Sequence, residues 1–143
     1  MGVTFAKATV ARDRAAGRKS LELEFLVDTG AAYSSVPSDL LRKLGVRPDE
    51  TEEFTLADGT HVRYPVGEAF FVLGVRYGTS KVVFAPKGTR PLLGALTLEA
   101  LALVVDPYAQ TVRPMQLMLA HGLVRVRNST RSPRGVGHGA MPR

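Results

Sequence analysis

Phe25-Leu26-Val27-Asp28-Thr29-Gly30-Ala31 is the stretch on which the fold turns. It closes an alternating run, Leu21-Glu22-Leu23-Glu24-Phe25-Leu26-Val27, whose period of two predicts a strand that becomes continuously apolar as it enters the core. A carboxylate stands at its end, followed by Thr and by a Gly that permits a sharp turn. Ending a buried strand on a carboxylate is costly unless the group is paired or used. Two readings of Asp28 are open on these residues: an acceptor for backbone N–H groups in an Asx-turn, or a group that does chemistry.

On its N-terminal side, residues 3–11 predict a strand and 12–19 a charged loop. Pro37 and Ser38 open a short predicted helix over 39–44, with Leu40, Leu41 and Leu44 on one face and Gly45 to end it. After an acidic connection over 48–53, residues 54–57 and 60–66 flank Asp58-Gly59, the signal for a hairpin with a tight two-residue turn. A further strand pair is expected over 69–73 and 81–85, joined across 74–80. Leu92-Leu93-Gly94 then leads to a helical stretch around 97–102, and Leu103-Val104-Val105 forms a strand stopped by Asp106-Pro107, with 111–119 able to give one more. The pattern is mostly β with brief helices and shows no internal repeat.

Taken in order, the Asp-Thr-Gly-Ala turn, the Asp58-Gly59 hairpin and Leu92-Leu93-Gly94 before a short helix resemble the retropepsin-like aspartic peptidases, over about residues 20–107. The run Pro91-Leu92-Leu93-Gly94-Ala95-Leu96-Thr97-Leu98-Glu99-Ala100-Leu101, continuing into Val104-Val105-Asp106-Pro107, is similar to the small prokaryotic members. The resemblance implies a mostly β, single-lobe acid-protease barrel with one or two short helices. It implies that Asp28 is the catalytic carboxylate, that Thr29 links two active-site loops, that Gly30 lets substrate backbone approach and that Ala31 sits beside the carboxylate. Leu92, Leu93 and Gly94 match the segment that packs behind that loop as support. By position the hairpin is the flap, with Ala57, Asp58, Gly59 and Thr60 at its tip; an ordinary surface hairpin is the other reading. Ala32 and Ala95 depart from the retroviral pattern, in which an acidic residue and an Arg at these positions form an ion bridge near the dimer interface. Losing both partners costs little, whereas losing one would strand a charge. The hairpin tip also lacks the Gly-rich run of the retroviral enzymes.

The chain holds no second Asp-Thr-Gly or Asp-Ser-Gly. Acid chemistry of this type needs two carboxylates, so the resemblance implies a twofold homodimer whose two Asp28 side chains share a proton and activate a water against the peptide bond. Peptide or protein is then the substrate, and neither metal nor cofactor is required. Ala31 offers no hydroxyl to stabilise the carboxylate, which places the expected working pH nearer mildly acidic to neutral than strongly acidic. A different class of reading keeps the same dimeric fold as an inactive module that grips extended peptides by strand addition.

Composition bounds the remaining classes. The 143 residues are 45% hydrophobic and 22% charged, which fits one globular domain, expected over 1–122. With no cysteine there is no disulfide framework, thiol nucleophile or Cys-based zinc site, and His61, His121 and His138 are scattered. No signal-peptide core or membrane-spanning apolar run is visible, which argues against a membrane partner and for a cytoplasmic protein. The net charge of +6 suggests nucleic acid until it is placed along the chain: residues 1–107 carry 13 Lys and Arg against 13 Asp and Glu. The excess lies in Arg113, Arg125, Arg127, Arg131, Arg134 and Arg143, mostly within a basic stretch over 123–143 that turns to Ser, Pro, Gly and Arg from Asn128 and is expected to be a flexible tail. A few Arg residues without aromatic stacking partners argue against a nucleic-acid partner. Ser34 and Ser35 lack a nucleophile-elbow context and read as turn and capping groups, and Glu50, Glu52 and Glu53 read as a solvated loop. Gly135-Val136-Gly137-His138-Gly139 has none of the context of a phosphate loop.

Overall fold

The two alternating runs at the start of the chain pair with each other. In the computed structural model, which describes residues 2–16 and 19–119, β1 (Thr4–Ala11) lies antiparallel to β2 (Ser20–Val27), Thr4 opposite Val27 and Ala11 opposite Ser20. One 3-10 turn, Arg14–Ala16, interrupts the charged connection between them. After the Asp28 turn come β3 (Ser34–Pro37) and α1 (Ser38–Leu44), whose Leu41 and Leu44 are buried as the leucine spacing requires. The hairpin of β4 (Pro48–Thr55) and β5 (His61–Leu73) follows, then β6 (Arg76–Ala85), β7 (Leu92–Leu93), α2 (Ala95–Ala100), β8 (Leu103–Asp106) and β9 (Thr111–Pro114).

The main sheet runs β1-β2-β7-β3-β6-β5-β4, and β1 also pairs with β5, Val10 opposite Phe71. That second pairing closes β1, β2, β7, β3, β6 and β5 into a barrel and leaves β4 outside it. Closure removes the open edges of those strands. β5 serves both parts: residues near His61 are solvated, whereas Val66, Gly67, Ala69 and Phe71 are buried. The barrel is filled by Phe25, Phe71, Phe84, Leu41, Leu93 and Leu101, all essentially inaccessible, with Phe25 and Phe71 meeting edge to face at 6.2 Å. β8 and β9 form a separate two-stranded sheet. The architecture is the mostly β barrel with two short helices that the sequence leads one to expect.

Five local expectations need correcting. The acidic connection over 48–53 is strand β4, since its backbone pairs with β5 from Pro48 opposite Gly67 to Thr55 opposite His61 although most of its side chains are solvated. The loop expected over 74–80 is only the two-residue turn Gly74-Val75, because Arg76 already pairs with Leu73. The second helix starts at Ala95, not 97, and the final strand ends at Pro114 rather than 119. The hairpin tip is one residue longer than a two-residue turn. Leu56 N–H donates to Thr60 O and Gly59 N–H to Leu56 O, with Gly59 at φ 89, the three-residue loop in which a type I turn is followed by a left-handed glycine. The basic stretch over 123–143, including Arg125, Arg127, Arg131 and Arg134, lies outside the described residues.

Candidate active site

Asp28 leaves β2 where β7 locks the strand end. Leu26 and Val27 run parallel to Leu92 and Leu93, and the Asp28 N–H donates to the Leu93 carbonyl at 3.0 Å. The turn then closes on itself: Gly30 N–H donates to Asp28 Oδ1 at 2.9 Å and Ala31 N–H to the Asp28 carbonyl at 3.2 Å. The Asx-turn is therefore real, and it orients the carboxylate. The expectation of a buried carboxylate is corrected, for Asp28, Thr29 and Gly30 are all exposed in the single chain.

Behind this turn three successive amides of the β7–α2 junction bind the Asp28 loop. Gly94 N–H donates to Ser34 Oγ at 2.9 Å, Ala95 N–H to the Ala31 carbonyl at 2.8 Å and Leu96 N–H to the Ala32 carbonyl at 3.0 Å. The first N–H groups of a helix have no intrahelical acceptor, so the loop carbonyls satisfy them. Contact is close enough that a Cβ on Gly94 would lie 2.5 Å from the Tyr33 carbonyl oxygen. Backbone bonds between residues 31–32 and 95–96 thus join the two positions at which an ion bridge is missing. Leu93 is fully buried and Gly94 is at the contact, whereas Leu92 is half-buried and faces the cleft.

That cleft, about 450 Å³, opens between the loop and the hairpin. Gly30, Ala31, Ala32 and Tyr33 line one side, Phe54, Thr55, Leu56 and Tyr64 the other, and Val83, Ala85 and Leu92 contribute apolar surface. Tyr33 meets Phe54 edge-on at 5.9 Å, and Phe54 lies 6.4 Å from Tyr64, so an aromatic row joins loop to hairpin. The Tyr33 phenol is held above its ordinary pKa, chiefly by hydrogen bonding to the Glu52 carboxylate and then by desolvation. Glu52 is half-buried, with its Oε2 closed off from solvent. Lys81, 2.9 Å from Glu50 and 5.7 Å from the Tyr33 ring centroid, is raised by its bond to Glu50. The acidic stretch is thus part of the hairpin wall. Asp58 sits at the tip, where its Oδ1 accepts the Thr60 N–H at 2.9 Å, and hydrogen bonding to Thr60 lowers its pKa. Ala57, Asp58, Gly59 and Thr60 do not line the cleft; their neighbours Thr55 and Leu56 do.

A second groove, about 510 Å³, lies on the other side of the turn. Thr29 borders it together with Ala95, Leu98, Glu99, Leu103, Val104, Val105 and Pro107, and apart from the carboxylate it is largely apolar. Sequence reasoning missed Tyr33 and Tyr64, whose place in the cleft depends on the hairpin folding over the loop, and the reading of Ser34 and Ser35 as turn and capping groups is corrected: both lie on β3, and the Ser34 hydroxyl is buried against α2. No sequence pattern marks a buried hydroxyl of this kind. Among the described residues no group of three His, Cys, Asp or Glu is gathered for a metal, and no helix is long and apolar enough to cross a membrane.

A family described as aspartyl protease matches residues 14–100. Among solved structures, EIAV protease complexed with the inhibitor HBY-793 is similar at TM-score 0.52 and 16% identity, over 82% of this chain and 94% of that one. This likeness bears on the fold. A simian foamy virus (mac) protease aligns at TM-score 0.48 and 20% identity, over 67% and 92% of the two chains. A retropepsin-like aspartic protease from Rickettsia conorii aligns at TM-score 0.46 and 20% identity, over 74% and 86%. No curated protein matches the chain.

Proposed function

Because the chain belongs to the aspartyl protease family, we propose that it is an aspartic endopeptidase in which Asp28 of two copies activates water against a peptide bond. The observation that carries this reading is the placement of Asp28. It is exposed, oriented by the Gly30 amide, and stands directly before the residues that form one wall of an apolar cleft facing the hairpin. Such a cleft suits an extended peptide with apolar side chains.

One carboxylate per chain is half of the machinery. In a twofold dimer with the two Asp28 groups about 3 Å apart, like charges cannot both ionise, and the pair holds one shared proton. The ionised member draws a proton from the bound water, the protonated member donates to the scissile carbonyl, and a proton then passes to the leaving amine. The largely apolar groove bordering Thr29 supports a second copy docking beside the turn, since Val104, which lines it, is 37% exposed. The hairpin of β4 and β5 is the flap in this reading, with Ala57 to Thr60 as its tip.

The test is cleavage of a diverse set of unstructured peptides, read by mass spectrometry at pH 4 to 7.5, at several protein concentrations, with wild type beside Asp28→Asn. Cleavage that is lost in the variant and rises faster than linearly with concentration supports the dimeric peptidase. Equal inertness of both proteins as folded dimers transfers the function to peptide binding without cleavage.

A further inference from the structure

The Asp28 loop is tied to the rest of the barrel by a chain of buried hydroxyls. Ser34 Oγ, on β3, lies 2.5 Å from Thr97 Oγ1, on α2, and Thr97 Oγ1 lies 2.8 Å from Ser80 Oγ, on β6. Ser34 Oγ also accepts the Gly94 N–H at 2.9 Å. Ser34 and Thr97 are wholly inaccessible, and Ser80 is 8% exposed. A buried hydroxyl without a partner is costly, so proton placement here is constrained.

One ordering of protons satisfies both inaccessible groups. Ser34 accepts from Gly94 and donates to Thr97; Thr97 donates in turn to Ser80; the last proton falls on the member with solvent access. The reverse ordering leaves the Ser34 proton buried without an acceptor among the bonds of the cluster. The chain therefore runs from the Gly94 amide, beside the Ala31 and Ala32 carbonyls, to the strand that supplies Val83 and Ala85 to the cleft.

We infer that Thr97 is a positioning residue for the reaction: through Ser34 it fixes the Gly94–Leu96 amides that hold the loop, and through Ser80 it sets that loop at a defined distance from the cleft wall on β6. Ala32 and Ala95 leave no side-chain tie at this place, and the hydroxyl chain supplies one. The kinetic part of the inference rests on the peptidase reading; the structural part does not.

The experiment compares wild type, Thr97→Val, Thr97→Ser and Ser80→Ala. Val keeps the shape of Thr and removes the hydroxyl, leaving the Ser34 proton without its acceptor, while Ser keeps the hydroxyl. Amide hydrogen exchange is followed at Gly94, Ala95 and Leu96, beside thermal unfolding and peptide cleavage. Expected for Thr97→Val is faster exchange at these three amides than its change in global stability accounts for. A fall in kcat of roughly tenfold to a hundredfold with KM little changed should accompany it, because small misplacements of reacting groups carry losses of that size. Thr97→Ser restores both, and Ser80→Ala gives the weaker effect of losing only the terminal acceptor. The inference is overturned if Thr97→Val exchanges at these amides no faster than its global stability dictates, or cleaves with the wild-type kcat. If wild type itself cleaves no peptide, the peptidase reading fails, and the exchange comparison alone decides whether the hydroxyl chain holds the loop.

Discussion

Asp28 is exposed and bonded through Oδ1 to the Gly30 amide, a bond that an asparagine oxygen can also accept. Asp28→Asn is therefore expected to change unfolding free energy by no more than about 0.5 kcal/mol while abolishing cleavage, as denaturant titration beside a peptide assay will read. Gly94→Ala has the opposite profile. Its Cβ meets the Tyr33 carbonyl at 2.5 Å, so the Asp28 loop and α2 must separate. Overpacking of this kind costs about 1–3 kcal/mol, visible as a lowered denaturation midpoint together with lost activity. Tyr33 supplies a pH-dependent prediction. Its raised pKa means that the folded state favours the protonated phenol, so this contribution is fully present below the ordinary tyrosine value and is lost as pH rises through the higher folded value. Ultraviolet titration of the phenols is expected to show Tyr33 ionising late, and Glu52→Gln to return it toward the ordinary range. The Asp-Thr-Gly-Ala turn was legible in the sequence because each residue acts locally. Ser34 was not, since its partners Thr97 and Gly94 are some 60 residues away in the chain.

Elements differ in how much of themselves they display. α1 shows its leucines at helical spacing and buries Leu41 and Leu44, so it was readable in advance. β4 was not, because a strand with most side chains in water needs no apolar alternation; its pairing with β5 holds it. The hairpin between them was legible from Asp58-Gly59, but the loop length depended on backbone bonds that no dipeptide determines. Gly59 stands at φ 89, and Gly59→Ala is expected to cost about 1–2 kcal/mol through left-handed strain, measured by thermal unfolding. Asp58 holds the Thr60 amide with a depressed pKa. That contribution is present above the ordinary aspartate value and is lost as pH falls through the lower folded one. Hydrogen exchange at Thr60, corrected for intrinsic rate, should accelerate in that acidic window and lose its extra pH dependence in Asp58→Ala.

At the scale of the whole molecule, closure of the barrel through β1 and β5 fixes where the Asp28 turn, the hairpin and the apolar groove face. The proposed dimer predicts that Val104→Glu, a charge placed in the groove bordering Thr29, weakens self-association in sedimentation and lowers cleavage at low protein concentration, with recovery at high concentration. The mostly β class, the turn chemistry at Asp28, the first helix and the order of the motifs are written in the sequence, because alternation, glycine and leucine spacing act over a few residues. Packing of distant segments is what exposes Asp28, brings Tyr33 and Tyr64 into one cleft, lets three amides of the β7–α2 junction clasp the loop, and joins Ser34, Thr97 and Ser80 in one chain. Those contacts join residues far apart in sequence, and nothing in the local pattern of a hydroxyl or a tyrosine records which distant backbone will be packed against it.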